Sequence, residues 1–262
     1  MGENIKADIY GHIRMDVVLP CLYDEKVSIS FDDTQHNESA SVKVWVQVES
    51  PAILDTTNEI INKKDNFDLI LAFSENVLTN CPNSKKFIFG TTWLDLDTLV
   101  IDKKNELSYI MTNKNTTVGH KLRHQVWDRY SGLSNISGLD TNFLKTPPRI
   151  SNKNQLFEHA KFSIAVENYS SVNYVTEKIM DCFLSKTIPI YYGCPNIGEF
   201  FNSDGVLSFG NIDELDVILK TINEDMYTEL SGVIEENYLK AKEYTNLYER
   251  VDNTVKEFIL NK

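Results

Sequence analysis

Nothing in this sequence approaches the roughly 18 to 20 consecutive apolar residues that a membrane-spanning helix needs, and the opening MGENIKADIYGH has no apolar core of the kind a secretory leader carries. The expectation is a cytoplasmic protein with no transmembrane segment. Met1-Gly2 is not followed by the Ser or Thr that myristoylation wants, because Lys6 stands there. Basic residues are outnumbered, 26 against 38 acidic, and the net charge of −12 would repel a phosphate backbone over most of the surface. Nucleic acid is therefore excluded as a partner, although a few cations and a helix N-terminus can still hold a small anion locally. No G-x-G-x-x-G follows a strand-like run, which argues against a Rossmann oxidoreductase. The four cysteines, Cys21, Cys81, Cys182 and Cys194, show no C-x-x-C spacing and read as reduced, buried thiols. His120 and His124 stand at helical i, i+4 spacing but lack a third ligand, so they read as packing or surface residues. Asp95-Leu96-Asp97 reads as a loop rather than a cation motif, and no metal is expected. Internal repeats and low-complexity segments are missing too.

What is present is an alternation of apolar strands and amphipathic helices across 262 residues, enough for two small domains. KVWVQVE (Lys43 to Glu49) alternates and is rich in valine, so it reads as a strand that exits at Ser50-Pro51. DLILAF (Asp68 to Phe73) and KKFIFG (Lys85 to Gly90) are the next strands, while Ser30 to Ser41 reads as an exposed loop. The polar run Ile101 to Leu107 suggests a boundary between a first domain, residues 1–100, and a second, residues 101–262. The second half reads as strand SYIM, a helix from Val118 to Tyr130, a helix near Asn154 to His159 and strand KFSIAVE. Helix TEKIMDCFLSK and strand IPIYYG follow, then a short helix at Asn196 to Phe201, strand VLSF and a helix from Asp213 to Ile222. That order describes a doubly wound Rossmann-like domain. The last forty residues are helix-compatible throughout.

One segment carries chemistry. Glu167-Asn168-Tyr169-Ser170-Ser171-Val172-Asn173-Tyr174-Val175-Thr176-Glu177-Lys178 leaves an apolar strand, crosses a polar loop and starts a helix. In open α/β sheets such a crevice at the strand C-termini holds ligands. Thr176 is a good N-cap, so unpaired N–H groups of the first turn are expected to face a pyrophosphate, with Lys178 adding a mobile positive charge. Glu177 would oppose phosphates and suits hydroxyls of ribose or sugar; alternatively it only complements the helix dipole.

These residues resemble glycosyltransferase family 10, the α1,3/4-fucosyltransferases. ENYSSVNYVTEKIMDCFLSKTIPIYYG, Glu167 to Gly193, is similar to the family's signature, in which an E-N pair precedes Y-V-T-E-K and a later P-I/V-x-x-G. The similarity continues through FFNSDGVLSFGNIDEL and, upstream, SYIMTNKNTTVGHKLRHQVW. The resemblance puts Asn113 at the family's Asn after a strand and Arg123 at its pyrophosphate-binding Arg, whose fork suits a diphosphate; without the resemblance Arg123 reads as a solvated cation beside Lys121. Glu167, Asn168, Tyr174, Val175, Thr176, Glu177 and Lys178 become the donor-binding set. VESP, Val48 to Pro51, is similar to an E-S-P motif, which makes Glu49 the candidate general base. Asn173 departs from the Asp found in many members, the first domain is short, and the cysteine pattern of the secreted animal enzymes is not there.

The resemblance implies a GT-B fold, two Rossmann-like domains with a cleft between them. It implies an inverting transfer, most simply of fucose from GDP-fucose, to a glycan hydroxyl, with a nucleotide sugar and a glycan acceptor as partners and no further cofactor. The alternatives are a GT-B transferase using another nucleotide sugar, distinguished by donor screening, and a non-catalytic nucleotide- or glycan-binding relative, distinguished by GDP binding without transfer.

Overall fold

Strands buried on both faces favour apolar side chains at every position; the run LILA meets that demand, and VKVWV departs from it at the partly exposed Lys43. The computed structural model describes residues 5–11, 22–146 and 152–262. Gly2 and Cys21, for which expectations were stated above, lie outside the described residues. The chain forms two units. One comprises Met1–Phe89, Val172–Tyr174 and Asn246–Lys262; the other comprises Gly90–Ser171 and Val175–Thr245.

In the first unit the strands are β1 (Ile5–Lys6), β2 (Asp8–Gly11), β3 (Leu22–Tyr23), β4 (Val27–Phe31), β5 (Val42–Val46), β6 (Leu69–Ala72) and β7 (Ser84–Lys86). A five-stranded sheet runs in the order β2-β4-β5-β6-β7, parallel throughout, while β1 pairs with β3 antiparallel. Successive side chains point to opposite faces of the sheet. Trp45, Ile70 and Ala72 accordingly pack with Ile60 of α1 (Thr57–Lys63) and Val77 of α2 (Glu75–Asn80). Val42, Val44, Val46, Leu69 and Leu71 pack with Leu247, Val251 and Val255 of the helix Leu247–Leu260. Tyr23 Oη donates to Asp252 at 2.8 Å, and Arg250 donates to the carbonyls of Ile88 and Phe89 at 2.8 and 3.0 Å, which fastens that helix.

Two sequence expectations change here. The strand expected to reach Glu49 ends at Val46, because the N–H groups of Val48 and Glu49 donate to the Asp32 carboxylate instead of continuing the ladder. The loop expected from Ser30 begins only after Phe31. VSISF is a central strand whose serines are buried yet satisfied: Ser28 Oγ accepts from Asn37 N at 3.0 Å, and Ser30 Oγ donates to the Gln35 carbonyl.

The second unit holds β8 (Lys104–Thr112), β9 (Asn135–Ile136), β10 (Leu139–Thr146), β11 (Ala160–Val166), β12 (Ile188–Tyr192) and β13 (Leu207–Ser208), in the order β13-β12-β11-β8-β10-β9. All pairs are parallel except the β9–β10 hairpin, whose turn residues Ser137 and Gly138 have φ of 52° and 86°, as a tight two-residue turn requires. The helices are α3 (Val118–Tyr130), α4 (Glu177–Leu184), α5 (Ile212–Thr221), α6 (Glu224–Glu229) and α7 (Ser231–Ala241). Strand β8 starts inside the polar run read as a boundary, and the helices expected at Asn154 and Asn196 are single 3₁₀ turns, Asn154–Leu156 and Ile197–Glu199. Cys81, Cys182 and Cys194 are buried free thiols. Among the described residues no helix is long and apolar enough to cross a membrane.

Behind α4 lies a buried ion pair. Lys153 Nζ stands 2.6 Å from Asp181, which also accepts from Thr92 Oγ1 at 2.6 Å and Trp93 N at 3.0 Å. Burial pushes the Asp181 carboxyl up, and Lys153 opposes this. Removing the lysine leaves an uncompensated buried charge, which costs about 3–5 kcal/mol. Lys153→Ala should lower stability by that amount in urea unfolding; a loss below about 1 kcal/mol would show the pair to be solvated.

Candidate active site

An open parallel sheet binds ligands where neighbouring strands send their connections in opposite directions. Strand β8 lies between β10 and β11. The chain runs from β8 out to β10 and then returns to β11 on the other side, so the switch point lies at the C-terminal ends of β8 and β11. Asn113 directly follows β8, and Glu167 and Asn168 directly follow β11.

Helix α3 is pressed against that point. Thr117 caps it, its Oγ1 accepting from His120 N at 3.1 Å, and Gly119 N donates to the Asn168 carbonyl at 3.1 Å. A Cβ on Gly119 would stand 1.9 Å from the Glu167 carbonyl oxygen and 2.7 Å from that of Asn168. The approach of helix to loop is therefore closed to any other residue. One turn on, buried Arg123 donates through Nε and Nη2 to the Val166 carbonyl at 2.9 and 2.6 Å and through Nη2 to Asn168 Oδ1 at 2.7 Å.

Helix α4 enters from the other side. Glu167 is fully buried, and its carboxylate accepts from Thr176 N at 3.2 Å, Thr176 Oγ1 at 2.8 Å and Tyr191 Oη at 3.4 Å. Lys178 Nζ lies 3.2 Å from Glu167 and 2.9 Å from Glu177. Two N–H groups at this helix start are engaged, Thr176 N with Glu167 and Lys178 N with Thr176 Oγ1. The reason is that Glu167 brings a carboxylate of the protein's own to the positive end of the helix.

Two carboxylates sharing one lysine separate in acidity. Burial pushes Glu167 up against the pull of Lys178. At Glu177 burial also acts upward, yet Lys178 and Lys153 outweigh it and hold the group at about 2. Glu177 is thus a nearly buried, ionised acceptor. Burial, followed by the charges of Arg123, Lys114 and Lys178, lowers His120 to about 4, so a neutral imidazole sits among converging cations. His120 Nδ1 faces Thr116 Oγ1 at 3.1 Å, whereas His124 turns to the Lys114 carbonyl.

The fold thus gathers Arg123, Glu167, Asn168, Thr176, Glu177 and Lys178, with Asn113 exposed at the adjoining strand end. Val175 is fully buried, its carbonyl accepting from Gly90 N at 3.0 Å. Tyr174 belongs to the first unit, where its ring packs 5.2 Å from Phe73. Glu49, also in the first unit, is half-buried on the turn after β5, its N–H donating to Asp32 at 2.7 Å. Sequence reasoning missed Gly119 and Asp32, and it read His120 as a packing or surface residue without placing it beside Arg123 and Lys178. Only the Thr117 cap, three residues before His120, offered a signal.

Comparison with known proteins adds to this geometry. The family model described as glycosyltransferase family 10 (fucosyltransferase) C-term matches residues 100–231. The alpha-(1,3)-fucosyltransferase FucT of Helicobacter pylori is 29% identical over 147 residues, 54% of this chain and 30% of that protein. An alpha-(1,4)-fucosyltransferase of Arabidopsis thaliana is 30% identical over 106 residues, 36% of this chain and 26% of its own. The match thus spans less than a third of either relative. Among solved structures, an alpha1,3-fucosyltransferase with GDP-fucose aligns with a TM-score of 0.51 at 15% identity, covering 84% of this chain and 80% of that one. One with GDP aligns at 0.50 and 16%, covering 84% and 79%. The likeness shows the fold, which is GT-B.

Gly119→Ala tests the close approach. Overpacking of this kind costs about 1–3 kcal/mol, because the Cβ meets backbone atoms that have no side-chain freedom. Denaturant unfolding should show that loss, and parental stability would mean that α3 and the 167–168 loop are not pressed together.

Proposed function

The chain belongs to glycosyltransferase family 10, whose model matches half of its length, and on that premise we propose that it transfers fucose from GDP-fucose to a glycan hydroxyl with inversion. The observation that carries the reading is the convergence of Arg123 and Lys178 on the strand-end loop at the switch point, inside the matched region. As the glycosidic bond to the donor breaks, negative charge grows on the departing diphosphate. Cations held rigidly there stabilise the transition state more than the ground state. Their bonds to Val166, Asn168, Glu167 and Glu177 hold them in place before the donor arrives.

Ionised Glu177 offers an acceptor for ribose or fucose hydroxyls, and its low proton affinity keeps it an acceptor across the working range. Asn113 and Asn168 add neutral groups for the nucleotide or sugar. Glu167 and Thr176 hold the loop's two ends together through their hydrogen bonds, and Tyr174 and Val175 complete the donor-binding set that the family signature implies. Glu49 is assigned the proton of the attacking hydroxyl. A base works best without a neighbouring cation, which would weaken it, and Glu49 belongs to the first unit whereas Arg123 and Lys178 belong to the second. The reading asks for no cofactor beyond the donor itself. Turnover measured with GDP-fucose against other GDP- and UDP-sugars tests the donor assignment.

Lys178→Ala and Arg123→Ala should each weaken GDP binding by about 1.5–3 kcal/mol, the worth of a charge-assisted hydrogen bond. Calorimetry reads this directly, and unchanged affinity in both variants would remove the site. Glu49→Gln should lower transfer by about 10² to 10⁴ while leaving GDP affinity at the parental value. Transfer within a few-fold of the parent would falsify the assignment of the base.

A further inference from the structure

Asp32 plays no part in the reading above, yet its position is costly. It directly follows β4, at the same edge of the sheet as the end of β5, and it adopts φ of 50°, a left-handed conformation that few residues other than glycine, Asn and Asp accept. Its N–H donates to the Val46 carbonyl at 3.0 Å, and its side chain is buried. Oδ1 accepts from Val48 N at 3.0 Å and Oδ2 from Glu49 N at 2.7 Å. A carboxylate is the side chain that answers two adjacent amides with two equivalent oxygens. These are the amides at which β5 stops and the chain turns into Glu49-Ser50-Pro51, where the Ser50 carbonyl takes over by accepting from Ile53 N and Leu54 N at 2.9 and 3.0 Å.

We propose that Asp32 is the positioning residue for Glu49, clamping both amides of the turn when ionised and releasing one when protonated, so that transfer requires the ionised form. The inference rests on the assignment of Glu49 as the base. Burial is the largest influence on Asp32; the Val48 and Glu49 amides pull the other way, the Glu49 charge adds to burial, and the carboxyl is pushed up to about 7. The clamp is therefore made and released within the neutral range. Protonation turns one carboxylate oxygen into a hydroxyl, a donor and a weaker acceptor, so it weakens the hold on one of the two amides.

Two measurements test this. In the intact parent protein, the amide resonances of Val48 and Glu49 should titrate together with a midpoint near that of Asp32, and neither should do so in Asp32→Asn. Asn tolerates the left-handed backbone and keeps one acceptor. In transfer assays, kcat of the parent should fall as pH drops through about 7 while GDP affinity stays flat. Asp32→Asn should lose that limb and turn over about tenfold more slowly, again at parental GDP affinity. An Asp32→Asn profile with the limb in place, or a carboxyl of Asp32 that titrates in the ordinary range near 4 in the parent, overturns the proposal. Failure of the underlying assignment is read separately: Glu49→Gln with parental turnover removes the base whatever Asp32 does. Loss of turnover in Glu49→Gln beside a parental Asp32→Asn profile removes only the clamp. Should Asp32→Asn fail to fold, the amide titration in the parent still decides.

Discussion

The buried carboxylate of Glu167 is the interaction on which the second unit's site depends. It is the first residue beyond β11, it is withdrawn from water, and it receives Thr176 at the start of α4, Tyr191 on β12 and the ammonium of Lys178. Taking a carboxylate out of water costs several kcal/mol, and the cost is offset only if its oxygens find donors. Those donors come from strand, loop and helix at once, so the loop from 167 to 176 has little freedom. Gly193 shows how tight the packing is, since a Cβ there would meet Tyr191 Oη at 2.2 Å and Glu167 Cγ at 2.6 Å. With Glu167 fixed, Lys178 is fixed, and with Lys178 fixed, Glu177 is held ionised.

How much of this was legible depends on whether a segment's pattern is local. Helix α3 was read with the bounds Val118 to Tyr130 that the structure has, because its Thr117 cap and apolar spacing lie within the helix itself. Strands β11 and β12 were read nearly whole, being short apolar runs. Strand β10 gave no such signal. LDTNFLKT alternates polar and apolar only loosely, and it becomes a strand through seven register partners on β8. Likewise β4 carries two serines whose hydroxyls are satisfied by the loop that follows, a compensation that no local window displays.

The site residues divide along the same line. Thr176 and Lys178 could be derived as cap and cation from their place at a strand-to-helix loop. Arg123 could not, since nothing in the helix KLRHQVW says that its guanidinium folds back onto the Val166 carbonyl 43 residues away. The family resemblance supplied that residue, and local physics did not. Glu167 was expected to touch the donor; its full burial gives it a different relation to the site, through the groups that it aligns.

The two units solve one problem in the same way. At the end of a buried parallel strand the chain must leave the ladder, and the N–H groups of the departing segment need acceptors. In the first unit Asp32, next after β4, takes the amides of Val48 and Glu49; in the second Glu167, next after β11, takes the amide of Thr176. Both are carboxylates, and burial pushes both toward the protonated form. They differ in what opposes burial. Lys178 stands against Glu167 as a full counter-charge, whereas at Asp32 two amide dipoles oppose burial and the like charge of Glu49 adds to it. A dipole compensates a buried charge less completely than an ion does. It follows that the two corners are held by different means: an ion pair holds the second unit's corner, and amide dipoles hold the first unit's corner, which carries Glu49.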